Sequence, residues 1–118
     1  MIVKGEVIHG AQLGRKIGFP TANIDAHDID HIENGVYYSQ VMLDGRLYNA
    51  MSNIGTRPSV DGQTRLLETH IFGYAGDLYG RTLEVDLRLK IRNERRFASI
   101  EELQRQLEKD AVLCNPEL

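Results

Sequence analysis

The run Gly14-Arg15-Lys16-Ile17-Gly18-Phe19-Pro20-Thr21-Ala22-Asn23 gathers residue types suited to phosphate and metal chemistry. Gly14 and Gly18 let backbone N–H groups come close to a phosphate, and Arg15 and Lys16 add positive charge. Pro20 fixes φ and favours an extended segment around it. On such a segment Thr21 and Asn23, two apart, project to one face and offer two neutral oxygens. A hard cation such as Mg²⁺ accepts oxygens of this kind and completes its shell with water and substrate phosphates. The run is not a Walker loop, because Lys16 precedes the second glycine. A glycine-rich turn whose Thr and Asn bond local backbone would have the same composition, so the residues by themselves leave both readings open.

Other chemistry-bearing residues are thinly spread. Glu68 falls in a strand-like segment and by itself reads as a solvent-facing carboxylate; His70, two residues on, shares its face. His27 and His31 flank Asp28 and Asp30, but four-residue spacing brings ligands together only on a helix, and this segment has no helical pattern. It reads as a solvated acidic loop. The Arg92–Arg96 cluster reads as surface charge, with Phe97 beside it allowing a contact to a ring and a phosphate.

These residues need a scaffold, and strand signals dominate to about residue 92. Ile2–Ile8 is short and β-branched. Val36–Leu43 ends at Asp44-Gly45, a two-residue hairpin signal, with Arg46–Asn53 as its partner. Leu66–Phe72 is another candidate strand. In Thr82–Ile91, Leu83, Val85, Leu87, Leu89 and Ile91 alternate with charged residues, the pattern of a strand with one buried face. Short strands with glycine-rich turns predict a small closed barrel, mainly β. One helix follows: Ser99 and Glu102 form a capping box, Leu103, Leu107, Ala111 and Cys114 make an apolar stripe, and Asn115-Pro116 ends it. Gly10–Pro20, Ala26–Asn34 and Asn53–Gln63 read as loops, two of them glycine-bearing and suited to the mouth of a ligand site.

Bulk properties narrow the class. The 118 residues fit a single domain, 1–118, and a net charge of −3 argues against coating nucleic acid, which draws on surplus Lys and Arg. Five Tyr, three Phe and no Trp also fit poorly with a groove for single-stranded nucleic acid. The single cysteine, Cys114, has no internal disulfide partner and predicts a reduced, cytoplasmic setting. No apolar run is long enough for a membrane helix.

The motifs together are specific. The glycine-rich loop running into Gly18-Phe19-Pro20-Thr21-Ala22-Asn23 resembles the signature of the riboflavin kinase (flavokinase) family. Asn34-Gly35-Val36-Tyr37, Asn53-Ile54-Gly55-Thr56-Arg57-Pro58-Ser59 and Leu67-Glu68-Thr69-His70-Ile71 are similar to further motifs of that family. So are Asp77-Leu78-Tyr79-Gly80-Arg81 and Ile91-Arg92-Asn93-Glu94-Arg95-Arg96-Phe97, all in family order along nearly the whole chain. Ser59 stands where the family usually has threonine, which keeps the hydroxyl. The resemblance implies a six-stranded, Greek-key-like antiparallel barrel with a C-terminal amphipathic helix. It implies ATP as co-substrate, riboflavin as substrate and FMN as product, with Mg²⁺ as the ion and Zn²⁺ or Mn²⁺ as alternatives. Thr21 and Asn23 then become the Mg-ATP ligands and Glu68 the general base. Gly14, Arg15, Lys16, Gly18, Phe19 and Pro20 become a flap over the nucleotide. Asn53, Gly55 and Arg57 become a second flap, and Arg92, Glu94 and Phe97 a border of the flavin ring. A non-catalytic flavin- or nucleotide-binding module is the rival reading. A kinase half taken from a bifunctional FAD synthetase is a variant of the first, since the chain has no room for an adenylyltransferase domain.

Overall fold

The computed structural model describes residues 1–9, 16–60 and 62–116. Gly14 and Arg15, predicted to lie in the first flap, fall outside that range. Six strands form: β1 (Ile2–Ile8), β2 (Ala22–Asp25), β3 (Gly35–Leu43), β4 (Arg46–Ser59), β5 (Gly62–Ile71) and β6 (Thr82–Arg92). They close into an antiparallel barrel in the order β1-β2-β5-β4-β3-β6, with β6 returning to β1. The barrel and the helix Ile100–Cys114 match the architecture the sequence predicts. Among the described residues no helix is long and apolar enough to cross a membrane.

Alternation along the strands decides what faces where. Leu67, Thr69 and Ile71 of β5, with Ala50, Ser52 and Ile54 of β4, point into the barrel and are buried. Burial of each large apolar side chain contributes roughly 1.5–3 kcal/mol, about what one unpaired buried hydroxyl costs. The three interior hydroxyls are accordingly paired with one another: Ser39 Oγ lies 2.7 Å from Ser52 Oγ, which lies 2.9 Å from Thr69 Oγ1.

A second apolar cluster sits outside the barrel wall. Met51 and Phe72 project outward from the wall and meet Ala111 and Cys114 of the helix, with Phe19, Tyr38, Ile91 and Leu107 around them. Burial, with the nearby Asp110 carboxylate, pushes the Cys114 thiol up to about 12, so it behaves as an apolar side chain. The helix begins as predicted at Ser99, whose Oγ accepts from the Glu102 N–H at 3.2 Å. The reciprocal bond differs: the Glu102 carboxylate accepts from Ala98 N–H, one residue before the cap.

Three expectations are corrected. Asn53–Gln63 is not a loop. β4 continues to Ser59 and β5 begins at Gly62, a long hairpin in register from Ala50↔Ile71 to Ser59↔Gly62. Leu89 does not share the buried face of β6. It is 63% exposed, because the β3–β6 pairing shifts register between Val36 and Tyr37 and between Tyr38 and Ser39, and such shifts re-aim side chains. The acidic segment Ala26–Asn34 is not merely solvated. Arg65 Nη1 donates to the carbonyls of Ala26 and Ile29 at 3.2 and 3.0 Å, Nη2 to that of Ile32, and Nε to Asn34 Oδ1 at 2.9 Å. Ala26 and Ile32 thereby join the barrel core. His27 pairs with Asp25 at 2.8 Å, which raises the imidazole pKa, and no group of three metal-ligating side chains occurs among the described residues.

Candidate active site

The outer face of the wall carries the polar residues. Asn23 of β2, Glu68 of β5 and Asn53 of β4 stand side by side in register, Asn23↔Glu68 and Asn53↔Glu68. A carboxylate flanked by two amides on adjacent strands is a direct outcome of the period-2 pleat, which turns Leu67 and Thr69 inward and Glu68 outward. Among the described residues, Asn23 Oδ1 and Asn53 Oδ1 are the buried side-chain polar atoms without a hydrogen-bond partner. Leaving such an acceptor bare costs roughly 1–3 kcal/mol, and here two of them border one carboxylate.

Two cavities open on this row. The first, about 560 Å³, lies where β1, β2 and β5 splay toward the segment Tyr74–Tyr79; Pro20, Thr21 and Asn23 line it. At its rim the rings of His9 and Tyr79 stack 3.7 Å apart. The second, about 340 Å³, continues the outer apolar cluster: Phe19, Met51, Leu103 and Leu107 form its walls, and Asn53 and Glu68 its polar end. Thr21 and His70 line both cavities. The His70 ring sits between Phe19 and Phe72, edge to face with each, and its Nδ1 is 2.7 Å from the Pro20 carbonyl. That carbonyl can only accept, so Nδ1 carries the proton. Burial lowers the His70 pKa, with the Pro20 bond opposing it, which favours the neutral ring.

Charged groups are placed by ion pairs. Arg57 precedes Pro58, which biases it to an extended backbone. Its Nη2 lies 2.8 Å from Glu68 Oε1 and its Nη1 3.0 Å from Glu94 Oε2. Burial would lower the guanidinium pKa, but the two carboxylates outweigh that and raise it. Arg92 Nε and Nη2 grip the carboxylate of Asp110, which is 1% exposed, at 2.8–3.1 Å, and Gln106 donates to it at 3.0 Å. This pair ties the end of β6 to the helix. Arg95 then stacks over Phe97 at 4.9 Å.

The structure brings most of the sequence-predicted residues together. Phe19, Thr21, Asn53, Arg57, Glu68, Arg92, Glu94 and Phe97 line the second cavity, and Pro20, Thr21 and Asn23 the first. Gly18 turns the chain at φ 89°, and Lys16 is exposed outside both cavities. Sequence reasoning named neither Leu103 nor Leu107 as a site residue, although the resemblance sets the start of this helix beside Arg92–Phe97 at the border of the flavin ring. It also gave no role to the His9–Tyr79 stack, since nothing in the residue pattern joins positions so far apart.

The residues present fit a hard cation. Asn23 Oδ1 is an orphaned buried acceptor, and Thr21 is the next outward-facing residue on the same segment.

Comparison with known proteins bears on the same features. A model of the riboflavin kinase family matches residues 1–116. The bifunctional riboflavin kinase/FMN adenylyltransferase of Escherichia coli strain K12 is 48% identical over 111 residues, 93% of this chain but 36% of the relative. The chain thus spans about a third of the length of the curated relatives it matches first. Among solved structures, one from Streptococcus pneumoniae described as a macrolide-efflux protein superposes with a TM-score of 0.84 at 34% identity, over 96% of this chain and 38% of that one. Riboflavin kinase from Trypanosoma brucei superposes with a TM-score of 0.68 over 99% of this chain and 78% of that one; at 23% identity it speaks to the fold.

Proposed function

The chain belongs to the riboflavin kinase family, and from that premise we propose that it transfers the γ-phosphoryl group of ATP to the 5′-hydroxyl of riboflavin, giving FMN and ADP. The observation that carries the reading is the row Asn23–Glu68–Asn53, two orphaned amide oxygens on either side of one carboxylate, at the junction of two cavities. Phosphoryl transfer asks for little covalent chemistry from a protein. It asks for alignment, neutralised charge and a destination for one proton.

We assign the first cavity to ATP and the second to riboflavin. The second suits a flat apolar ring because its walls are an extension of a hydrophobic core, while its polar end suits a ribityl chain. Thr21 and Asn23 would hold Mg²⁺, and the ion, when bound, would neutralise phosphate charge. Glu68 accepts a hydrogen bond from the terminal hydroxyl, orients it for in-line attack and takes its proton as the new O–P bond forms. Asn53 holds the same chain from the other side. Phe19 walls the second cavity beside Thr21 and excludes water.

The reading treats residues 1–118 as one kinase domain acting in the cytoplasm, with FAD formation left to a separate adenylyltransferase domain such as the one for which the Escherichia coli relative is named. The test is direct: purified chain with riboflavin, ATP and Mg²⁺ should yield FMN and no FAD, followed by separation of the flavins. Absence of FMN with Mg²⁺, Mn²⁺ and Zn²⁺ alike, despite flavin binding, would leave the non-catalytic binding module as the better account.

A further inference from the structure

Arg57 divides its guanidinium between two carboxylates on different parts of the fold. One nitrogen meets Glu68 Oε1 at 2.8 Å, and the other meets Glu94 Oε2 at 3.0 Å and the Thr56 carbonyl at 3.1 Å. Glu94 comes from the segment after β6, so nothing in the strand register obliges it to be there. What admits it is Gly55. A Cβ at Gly55 would collide with the Glu94 carboxylate, whose oxygens and carbon occupy the volume a side chain there would fill. Gly55 has no positive φ that would require glycine, so its missing side chain matters for space and not for backbone conformation.

We propose that Glu94 is a positioning residue for the Glu68 carboxylate, acting through Arg57 from a seat that Gly55 leaves open. The inference rests on the kinase reading above. Arg and carboxylate groups left alone close into a two-bond fork, and a fork on Glu68 would occupy both of its oxygens. By engaging one arm of Arg57, Glu94 holds the contact to Glu68 at a single oxygen and leaves the other to accept the substrate hydroxyl. One positive charge is also shared between two negative ones, so Glu68 is steered without being fully neutralised. Both partners are largely shielded, with Glu68 at 16% and Glu94 at 29% side-chain exposure, so solvent screens the arrangement less than a surface pair.

The test compares Glu94→Gln, Gly55→Ala and the double variant with the wild-type chain. Each single change should lower kcat on the order of tenfold, short of the ~10²–10⁴ expected for losing a base outright, with the riboflavin Kd from flavin fluorescence unchanged. The double variant should be no worse than either single one, because both break one link. Independently of turnover, the side-chain carboxyl ¹³C resonance of Glu68 should move in Glu94→Gln and stay put in the control Glu101→Gln, a change on the exposed helix face. A Glu94→Gln variant with intact kcat, or with a raised riboflavin Kd at intact kcat, overturns the proposal, the latter making Glu94 a flavin contact. So does an unmoved Glu68 resonance. Failure of the wild-type chain to make FMN would refute the kinase reading instead, while the resonance would still decide the link.

Discussion

The two cavities that meet at Thr21 and His70 are built on opposite principles. The one assigned to flavin is the unfinished edge of a hydrophobic cluster: the side chains that shape it, Met51, Phe19 and Leu107, also hold the helix to the barrel. The one assigned to the nucleotide is a gap between strand ends and a turn-rich segment, with an unpaired amide oxygen at its floor and a stacked ring pair at its rim. An apolar ligand can complete a core, so its site comes with the packing. A polyanion that arrives with a cation needs acceptor oxygens kept free for that cation, as Asn23 Oδ1 is, which the fold must hold open at a cost.

The sharpest way to break this contrast is at the junction. Glu68→Gln should cut kcat by roughly 10²–10⁴ while riboflavin and ATP affinities stay close to wild type; equal turnover would remove Glu68 from the base role. Next, Asn23→Ala should depress kcat/KM for ATP about 100-fold and shift the Mg²⁺ requirement upward, with riboflavin Kd unaffected. A matched loss of flavin binding would mean that the two cavities are not separate. Phe97→Ala should do the converse, weakening riboflavin by about tenfold, as the loss of one aromatic wall with its Arg95 contact predicts, and leaving the KM for ATP alone.

The smallest effect concerns pH. His70 has a lowered folded-state pKa, so its contribution to stability is present above the unfolded value of about 6.5 and is lost as pH falls through the folded value. His27, raised by Asp25, works with the opposite sign. Thermal midpoints should therefore fall less steeply from pH 7 to pH 5 in His70→Gln than in the wild type. Parallel curves would show that the ring shared by both cavities does not titrate there.

Much of this was legible in the sequence, and the exceptions have physical causes. Strand periodicity and the Asp44-Gly45 turn were enough for a barrel, and motif order along the chain pointed to the right family. The outward face was harder to read. Glu68 and His70 have the pattern of the solvent side of a strand, and nothing local says that Phe19 and Phe72 will flank His70 or that the helix will wall a cavity in front of both. Leu89 misleads for a related reason: alternation assumes an unbroken register, and the β3–β6 pairing breaks it. Arg57 could be named but not its second partner, because a contact 37 residues away depends on the room Gly55 leaves.

Arg65 carries a consequence for how the barrel finds its register. It lies on β5 with the inward parity of Leu67 and Thr69, and four hydrogen bonds from its guanidinium gather the acidic segment where an apolar core would otherwise be needed. Were β5 to pair one residue out of step, Arg65 would swing away from those carbonyls and Glu68 would turn into the barrel in the same move. The misaligned chain would thus lose a loop, bury a bare charge and take Glu68 out of the row with Asn23 and Asn53, all from one error. Correct alignment of the strand that bears Glu68 is in this way checked by an arginine three residues before it.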